Sequence, residues 1–256
     1  MSSNPYAAPK APVGDETLVL RGNFVAQGRG VPMGRGWDWI ASGWNLFRAA
    51  AGTWIGMILV LAVISILCAV IPFVGPLASM VFWPVLIAGL MATARTIHQG
   101  GSPEFAQLFA GFKQRFGPLA GVGALYLVAT VVIMLVVFFI TGVGVFAMMG
   151  GAAPDARALG AMAIAMLVML ALMLPLVMAV WFAPALVMFD DLGPVEAMKA
   201  SFLGCLKNVL PFLLYGIVLF IASIIASIPL LLGWLVLGPV LAASMYTSYR
   251  DIYFTE

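Results

Sequence analysis

Few residues in this sequence combine the types and spacings that could support catalysis. His98 is the single histidine, so the sequence cannot supply a cluster of histidine ligands, and we expect His98 to be a polar residue just past the second span rather than the base of a Ser-His-Asp triad. Asp190, Asp191 and Glu196 form the densest acidic group, but a divalent cation needs more oxygen ligands than two adjacent side chains normally supply. We interpret these acids as the end of one helix and the start of the next. We therefore expect no enzymatic activity, no bound metal and no cofactor.

A second candidate is the glycine-rich segment over residues 28–36, in which arginines are interleaved with glycines. A dinucleotide-binding turn needs its glycines directly between a strand and a helix. Pro32 interrupts the spacing, and no predicted strand precedes the segment. We therefore reject a nucleotide-binding interpretation.

The composition indicates that lipid surrounds most of the chain. Of the 256 residues, 64% are apolar and only 9% are charged, whereas a soluble domain carries about 25% charged residues. Such a chain cannot present a hydrated surface to water. The 12 basic and 10 acidic residues are too evenly balanced to indicate a nucleic-acid partner.

Four long stretches without charged side chains predict the membrane-spanning segments. A bilayer crossing requires about 20 apolar residues, so the first and last stretches can each hold two helices and the middle stretches one each. Proline and glycine over residues 71–76 and 228–233 predict the tight reversals inside the two long stretches. The stretches lie between Arg48 and Arg95, Arg115 and Asp155, Arg157 and Asp190, and Lys207 and Arg250.

These stretches predict an all-α polytopic membrane protein with six transmembrane helices in three hairpins. The two middle helices are expected over about residues 118–141 and 160–184, joined by a connector over 142–160. Residues 36–256 form the predicted membrane domain. Residues 1–35 are rich in Pro, Gly, Ser and Asn and predict a flexible cytoplasmic tail. We expect no cleaved signal peptide, because this tail lacks a long apolar run.

The distribution of basic residues predicts the orientation of the chain. With the N-terminus in the cytoplasm, eleven Lys and Arg residues lie inside and only Arg157 lies outside. This asymmetry follows the positive-inside rule. We expect a multi-pass protein of the bacterial inner membrane with both termini in the cytoplasm. Cys68 and Cys205 then lie near opposite membrane faces, too far apart for a disulfide, and we interpret both as packing residues.

Each predicted hairpin follows a short amphipathic segment, over about residues 37–48, 103–116 and 194–207. We expect these helices to lie in the headgroup plane with their apolar faces toward the bilayer. The alternative is that they extend the spans or pack on the bundle. The apolar stripes are Trp37, Ile40, Trp44 and Phe47 in the first segment, Phe105, Leu108, Phe109, Phe112 and Phe116 in the second, and Val195, Met198, Phe202 and Cys205 in the third.

Residues 84–97 and 239–252 indicate a parallel internal repeat. They read PVLIAGLMATARTI and PVLAASMYTSYRDI, and each has a proline followed eleven residues later by an arginine. Pro84 and Pro239 are expected near the middle of the bilayer, where each kinks its helix. Two interpretations remain open: a kinked, tightly packed bundle, or paired kinks that line a central cavity.

Four basic residues at the predicted cytoplasmic helix ends are candidates for binding anionic lipid headgroups. The alternative is that they are anchors whose charged ends reach the membrane surface. No charged residue falls within a predicted span, which argues against a proton- or sodium-coupled transporter. The four residues are Arg48, Arg95, Lys207 and Arg250.

The segment from Pro184 to Tyr253 resembles a known family pattern. It begins Pro-Ala-Leu-Val-Met-Phe-Asp-Asp-Leu-Gly-Pro and ends in Tyr-Arg-Asp-Ile-Tyr. It is similar to the membrane domain of glycerophosphoryl diester phosphodiesterases and to YciC-like inner-membrane proteins. The segments Asn4–Pro9 and Gly36–Trp37 resemble an uncharacterised proteobacterial branch of that kind. The resemblance implies a six-helix membrane domain, and because the chain ends after the last predicted helix, we expect no phosphodiesterase activity.

Together these features predict a non-enzymatic inner-membrane protein that organises or maintains the envelope through lipid or protein contacts. Membrane lipids are the expected partners, together with a membrane-protein partner or a second copy of the chain. The alternative is a passive transporter or channel that uses the kinked second and sixth helices, with Pro84 and Pro239 at its cavity.

Overall fold

The structure, a computed structural model, describes residues 22–149 and 156–255, with the side chains at 142–149 and 157 left undescribed. Helices dominate these residues, and a pair of two-residue strands is the only sheet among them. The helices are α1 (Arg35–Ala49), α2 (Ala51–Val70), α3 (Val74–His98), a 3₁₀ helix (Phe105–Phe109), α4 (Ala110–Gln114), α5 (Phe116–Met149), α6 (Ala156–Trp181), α7 (Ala183–Phe189), α8 (Pro194–Lys207), α9 (Val209–Ser227) and α10 (Trp234–Tyr253), and the strands are β1 (Asn23–Phe24) and β2 (Phe254–Thr255).

Several helices are long and apolar enough to cross a bilayer, which bears out an all-α, multi-pass membrane protein. The predicted sixth span, α10, has 20 residues but ends in polar and charged ones. Its mean hydropathy is therefore lower than that of the five candidate spans. The count of six is therefore not established by length and composition. The five candidate spans among the described residues are Ala51–Val70, Val74–His98, Phe116–Thr141, Ala158–Phe189 and Val209–Ser227.

The two predicted reversals lie between α2 and α3 and between α9 and α10. In the first, Phe73 has a positive φ of 60°, and in the second Leu230 and Leu231 have φ values of 50° and 67°. Gly75 packs against the Cys68 carbonyl, where no side chain would fit. Each hairpin therefore closes through left-handed backbone and a close helix approach, as tight turns require.

The connector predicted over residues 142–160 is shorter than expected. Helix α5 continues to Met149 and α6 begins at Ala156, while residues 150–155 fall in the gap between the described ranges. Residues 142–149 are apolar and contain no proline, so nothing in their sequence stops the helix.

The predicted amphipathic segments form helices whose apolar stripes are divided between buried and exposed residues, and Phe47, Leu108 and Cys205 are the buried ones. Helix α1 buries Trp39, Gly43 and Phe47, whereas Trp37 and Trp44 are exposed. The segment over 103–116 is a 3₁₀ helix followed by the short α4, rather than one amphipathic helix. In α8 the buried residues are mainly small ones, and Val195 of the predicted stripe is exposed. Close backbone packing selects small residues for the inner faces.

The core lies where the two ends of the described chain meet. Helix α10 packs most extensively against α1, and it also contacts α3 and α9. Most residues from Pro239 to Tyr253 are buried, in contrast to the outward faces of the apolar helices. Gly43 of α1 approaches the backbone of α10 so closely that an added Cβ would lie 2.8 Å from the Ser244 nitrogen.

Candidate functional site

Residues 22–34, here called the strap, are hydrogen-bonded to the end of α10. Strand β1 pairs with β2 in an antiparallel register that places Asn23 opposite Thr255. The Arg29 amide donates to the Ile252 carbonyl at 2.8 Å. Residues 22–35 are therefore not a free tail, which differs from the prediction for residues 1–35, and residues 1–21 of that predicted tail lie outside the described structure.

The strap is also held from its other side by the junction of α8 and α9. The buried Asn208 accepts a hydrogen bond from the Val31 amide at 2.8 Å and donates to the Arg29 carbonyl at 2.8 Å. Lys207 Nζ donates to the Gly28 carbonyl at 2.9 Å. A buried amide side chain that satisfies backbone groups in this way specifies one docked position for the segment.

Asp251, on the last turn of α10, connects the strap to α1. Arg29 Nη2 donates to Asp251 Oδ1 at 3.0 Å, and Arg35 Nε donates to Oδ2 at 2.7 Å. The indole Nε1 of the buried Trp39 donates to the same Oδ2 at 2.8 Å. The Asp251 side chain is only 6% exposed, whereas the Arg29 and Arg35 side chains are 40% and 45% exposed. One buried carboxylate therefore orients two guanidinium groups that remain accessible to solvent.

These groups border an open cleft of about 780 Å³ between the strap, α1, α10 and the end of α3. Its charged side chains are three arginines and two aspartates, which leaves one positive charge in excess when His98 is neutral. Polar side chains from α1 and α10 supply further hydrogen-bonding groups. The lining comprises Gly22, Arg29, Gly30, Val31, Pro32, Arg35, Asp38, Trp39, Ser42, Asn45, Leu46, His98, Tyr246, Thr247, Arg250, Asp251, Phe254 and Thr255.

The four basic residues predicted to contact lipid headgroups do not form one site. Arg250 lines the cleft, with its guanidinium 4.8 Å from the centre of the Phe254 ring. Arg95 lies 4.9 Å over the Phe189 ring, and Lys207 holds the strap. Arg48 is exposed in the last turn of α1 and does not line the cleft.

Two cleft arginines, Arg29 and Arg35, were missed as site residues because they fall in the predicted tail. The available signal was their recurrence six residues apart among glycines, shortly before the aromatic helix α1. That spacing does not reveal a partner at Asp251, which is 216 residues beyond Arg35.

The two helix prolines occupy different environments. Both are buried within continuous helices, Pro84 in α3 and Pro239 in α10. Pro84 lines an apolar cavity of about 410 Å³, together with Trp83 and Trp181. Pro239 is not among the residues that line this cavity. The structure therefore does not bring the two predicted kinks to a shared cavity.

The three acidic side chains Asp190, Asp191 and Glu196 each contact a different partner. Asp190 accepts a hydrogen bond from Tyr249, Asp191 pairs with Arg115, and Glu196 accepts one from the Gly193 amide at 3.3 Å. Over residues 22–149 and 156–255, no three His, Cys, Asp or Glu side chains are placed to hold a metal ion.

Both cysteines are free thiols. Cys205 is buried on α8, and its Sγ lies 3.6 Å from the Met178 carbonyl. Burial raises the pKa of the Cys205 thiol to about 12, so the thiol is not activated for nucleophilic chemistry.

Comparison with known proteins places the chain in the membrane. It is 27% identical over 249 residues to a Burkholderia thailandensis protein named as a probable inner membrane protein, an alignment that covers 85% of this chain and 90% of that one. No protein-family model and no solved structure matches the chain. The resemblance to phosphodiesterase membrane domains and YciC-like proteins is therefore not supported. The relative and the apolar helices together support an integral, multi-pass protein of the inner membrane.

Proposed function

We propose that the chain is a non-enzymatic inner-membrane protein that organises or maintains the envelope through contacts with lipid. The observation that carries this proposal is the outward orientation of the aromatic side chains on the helices next to the spans. Trp37 and Trp44 of α1 are 57% and 42% exposed, and the rings of Phe112 and Phe116 are also exposed. Aromatic rings favour the membrane–water boundary, because they bury an apolar body beside the headgroups.

The aromatic surface extends over three helices, namely α3, α4 and the start of α5. The rings of Phe112 and Phe116 stack with centroids 5.7 Å apart, and Phe82 of α3 lies 6.1 Å from Phe112. Small residues fill the inner side of the same segment, where Gly111 packs against the Val85 carbonyl of α3. Small residues on the inner side and aromatic rings on the outer side support a segment that packs against the bundle and exposes its rings to lipid.

We also propose six spans, with both described ends in the cytoplasm. Strands β1 and β2 are hydrogen-bonded, so residues 23 and 255 lie on one side of the membrane. The chain between them must then cross an even number of times, and α10 is the helix available to follow the five candidate spans. At a rise of about 1.5 Å per residue, its 20 residues extend about 30 Å. Reporter domains fused after Gly75 and after Glu256 should report opposite compartments, and a shared compartment would contradict this topology.

We further propose that α3 and α10 are the corresponding helices of a parallel repeat. Each contains an internal proline, has an arginine in its last turn and follows a tight hairpin, and the two helices contact each other. Because both follow a helix of the opposite direction, their equivalence agrees with an axis along the membrane normal.

The envelope role is tested in a deletion strain of the source bacterium. We expect increased detergent sensitivity or altered lipid composition, restored by the wild-type chain and by Trp44→Phe, which retains an aromatic ring. A Trp37→Ser/Trp44→Ser variant that inserts at normal levels should restore neither property. Full complementation by the double serine variant would contradict the proposal.

One observation favours passive transport as a second candidate, namely the apolar cavity beside Pro84. Solute flux into proteoliposomes that exceeds the flux into protein-free liposomes, and that Pro84→Ala abolishes, would support transport. Pro239→Ala is the matched control, because Pro239 is buried but does not line that cavity.

A further inference from the structure

We infer that the cleft between the strap, α1 and α10 binds the phosphate group of an anionic phospholipid, with Arg250 as the principal contact and Arg29 and Arg35 beside it. This inference rests on the proposed role in lipid contact and identifies the class of lipid. It depends on four features of the cleft: its charge, the fixed position of two of its arginines, its level relative to the membrane, and its polar lining.

The charge of the cleft favours an anion over a cation. Asp251 accepts hydrogen bonds from both Arg29 and Arg35, so one carboxylate faces two guanidinium groups. Asp38, the other acid, lies 3.5 Å from Arg35. Arg250 adds a further positive charge on the same wall. A divalent cation at Asp251 would have to displace an arginine, whereas a phosphate meets three basic side chains against two acidic ones.

Two of the three arginines, Arg29 and Arg35, are held in position by Asp251 before a ligand arrives. Arg29 donates to the Asp251 carbonyl through Nε at 2.7 Å and to the carboxylate through Nη2, which uses two of its five N–H donors. Its remaining donors lie on a side chain that is 40% exposed. Side chains that are already ordered lose little conformational entropy on binding, so their contacts contribute more to affinity.

The cleft lies at the level where a lipid phosphate is found. His98 lines the cleft and is also the last residue of the candidate span Val74–His98, so the cleft opens where that helix leaves the apolar layer. Helix α1, which forms one wall, carries the exposed Trp37 and Trp44 on its outer surface. Tryptophan prefers this boundary, and basic residues there attract anionic lipids.

The polar lining suits a headgroup with hydroxyl groups. Ser42 and Asn45 of α1 face the cleft, and so does Thr247 of α10, whose hydroxyl donates to the Trp39 carbonyl at 3.0 Å. The cleft volume of about 780 Å³ is within the range of about 300–1,000 Å³ found for small-molecule sites. A glycerol-phosphate headgroup such as that of phosphatidylglycerol therefore fits both the size and the hydrogen-bonding groups.

The inference is tested by native mass spectrometry of the full-length protein in neutral detergent, titrated with phosphatidylglycerol or with phosphatidylcholine of the same acyl chains. We expect phosphatidylglycerol to bind about tenfold more tightly, because the two lipids share the phosphate but the choline cation is repelled by the arginines and lacks the hydroxyl groups of glycerol. Arg250→Gln should remove most of this preference. Arg250→Lys should retain a preference, because the positive charge remains.

The matched control is Arg48→Gln, which removes an equally basic, exposed residue outside the cleft. We expect it to leave the preference unchanged, and the far-ultraviolet circular dichroism of every variant should match the wild type. Equal binding of the two lipids, or equal effects of Arg48→Gln and Arg250→Gln, would overturn the inference. Binding of free glycerol 3-phosphate as tightly as the lipid would overturn the assignment to lipid.

The outcome separates this inference from the proposed function. Selective binding without a deletion phenotype would support the cleft and contradict the envelope role. A phenotype with no lipid preference would support the role and contradict the cleft.

Discussion

Helices α9 and α10 belong to the same hairpin, yet they have opposite surroundings. Helix α9 exposes large apolar side chains along its length, including Phe220 and Ile225 at 67% and 61%. Helix α10 is buried from Pro239 through most of its remaining residues, including Asp251. The comparison shows that one arm of the hairpin leaves its apolar side chains exposed while protein covers the other arm, and that polar groups concentrate on the covered arm.

The difference follows from the side chains that each helix presents to its neighbours. Helix α10 has Ala242, Ala243 and Ser244 in sequence, which lets α1 approach at Gly43. In a bilayer, apolar side chains gain little by leaving lipid, so helix association depends on close packing and hydrogen bonds. The buried Tyr215–Ser244 hydrogen bond, at 2.7 Å, connects the two arms.

Removing the Asp251 carboxylate of α10, the arm covered by protein, should have the largest effect on the free energy of unfolding. We expect Asp251→Ala to lower the free energy of unfolding by about 2–4 kcal/mol, because two arginines and the buried Trp39 indole lose their acceptor. Thermal unfolding in detergent measures the loss, and faster tryptic cleavage at Arg29 reports release of the strap. Asp38→Ala is the control, since this side chain is 53% exposed. Equal stability of the two variants would show that the Asp251 network does not hold the covered arm.

Widening the contact between α1 and α10 should have the next largest effect. We expect Gly43→Ala to cost about 1–3 kcal/mol, because the new Cβ would lie 2.8 Å from the Ser244 nitrogen and 2.9 Å from the Val240 carbonyl oxygen. Gly52→Ala is the matched control in α2, where an added Cβ meets no atom within 4 Å. Chemical unfolding in mixed micelles compares the two variants, and an equal response would contradict the close packing.

Breaking the hydrogen bond between the arms should have a smaller effect. We expect Tyr215→Phe to cost about 1 kcal/mol, because Ser244 retains a hydrogen bond to the Leu241 carbonyl at 2.8 Å. A double-mutant cycle with Ser244→Ala isolates the interaction. A coupling free energy near zero would mean that the bond does not connect the two helices.

The rate of thiol labelling should report how well protein covers Cys205 on α8, without any change in the stability of the protein. Because burial raises the pKa of Cys205 to about 12, its thiol stays protonated near neutral pH. In a Cys68→Ser background, we expect N-ethylmaleimide at pH 8 to label Cys205 slowly in the folded protein and rapidly after denaturation. Mass spectrometry measures the labelled fraction. Fast labelling of the folded protein would show that α8 is not covered.

The apolar spans and the two hairpin turns were readable from the sequence, because each depends on local composition. A long uncharged stretch predicts a helix in lipid whatever it packs against. Pro72, for example, lies between α2 and α3 and interrupts the helix through its own backbone geometry. The helical continuation to Met149 was missed because a glycine-containing stretch was taken as a connector.

The sequence did not reveal which side of each amphipathic helix faces the protein. The stripe of Trp37, Trp44 and Phe47 was expected to face the bilayer, and Trp37 and Trp44 are exposed, but Phe47 packs inward together with Trp39 and Gly43. In water, large apolar residues are driven inward, but beside a bilayer they are equally stable outside. Inner faces are therefore chosen by shape, which hydrophobic periodicity does not report.

Thus the sequence by itself determined that lipid surrounds most of this chain and approximately where the chain crosses the membrane. Only the tertiary structure decided that Arg29 and Arg35 meet Asp251 and that a cleft forms between them and Arg250. The physical reason is the sequence distance over which each interaction acts. Solvation by lipid acts on each segment independently. An ion pair between residues more than 200 positions apart forms only once the helices between them have packed.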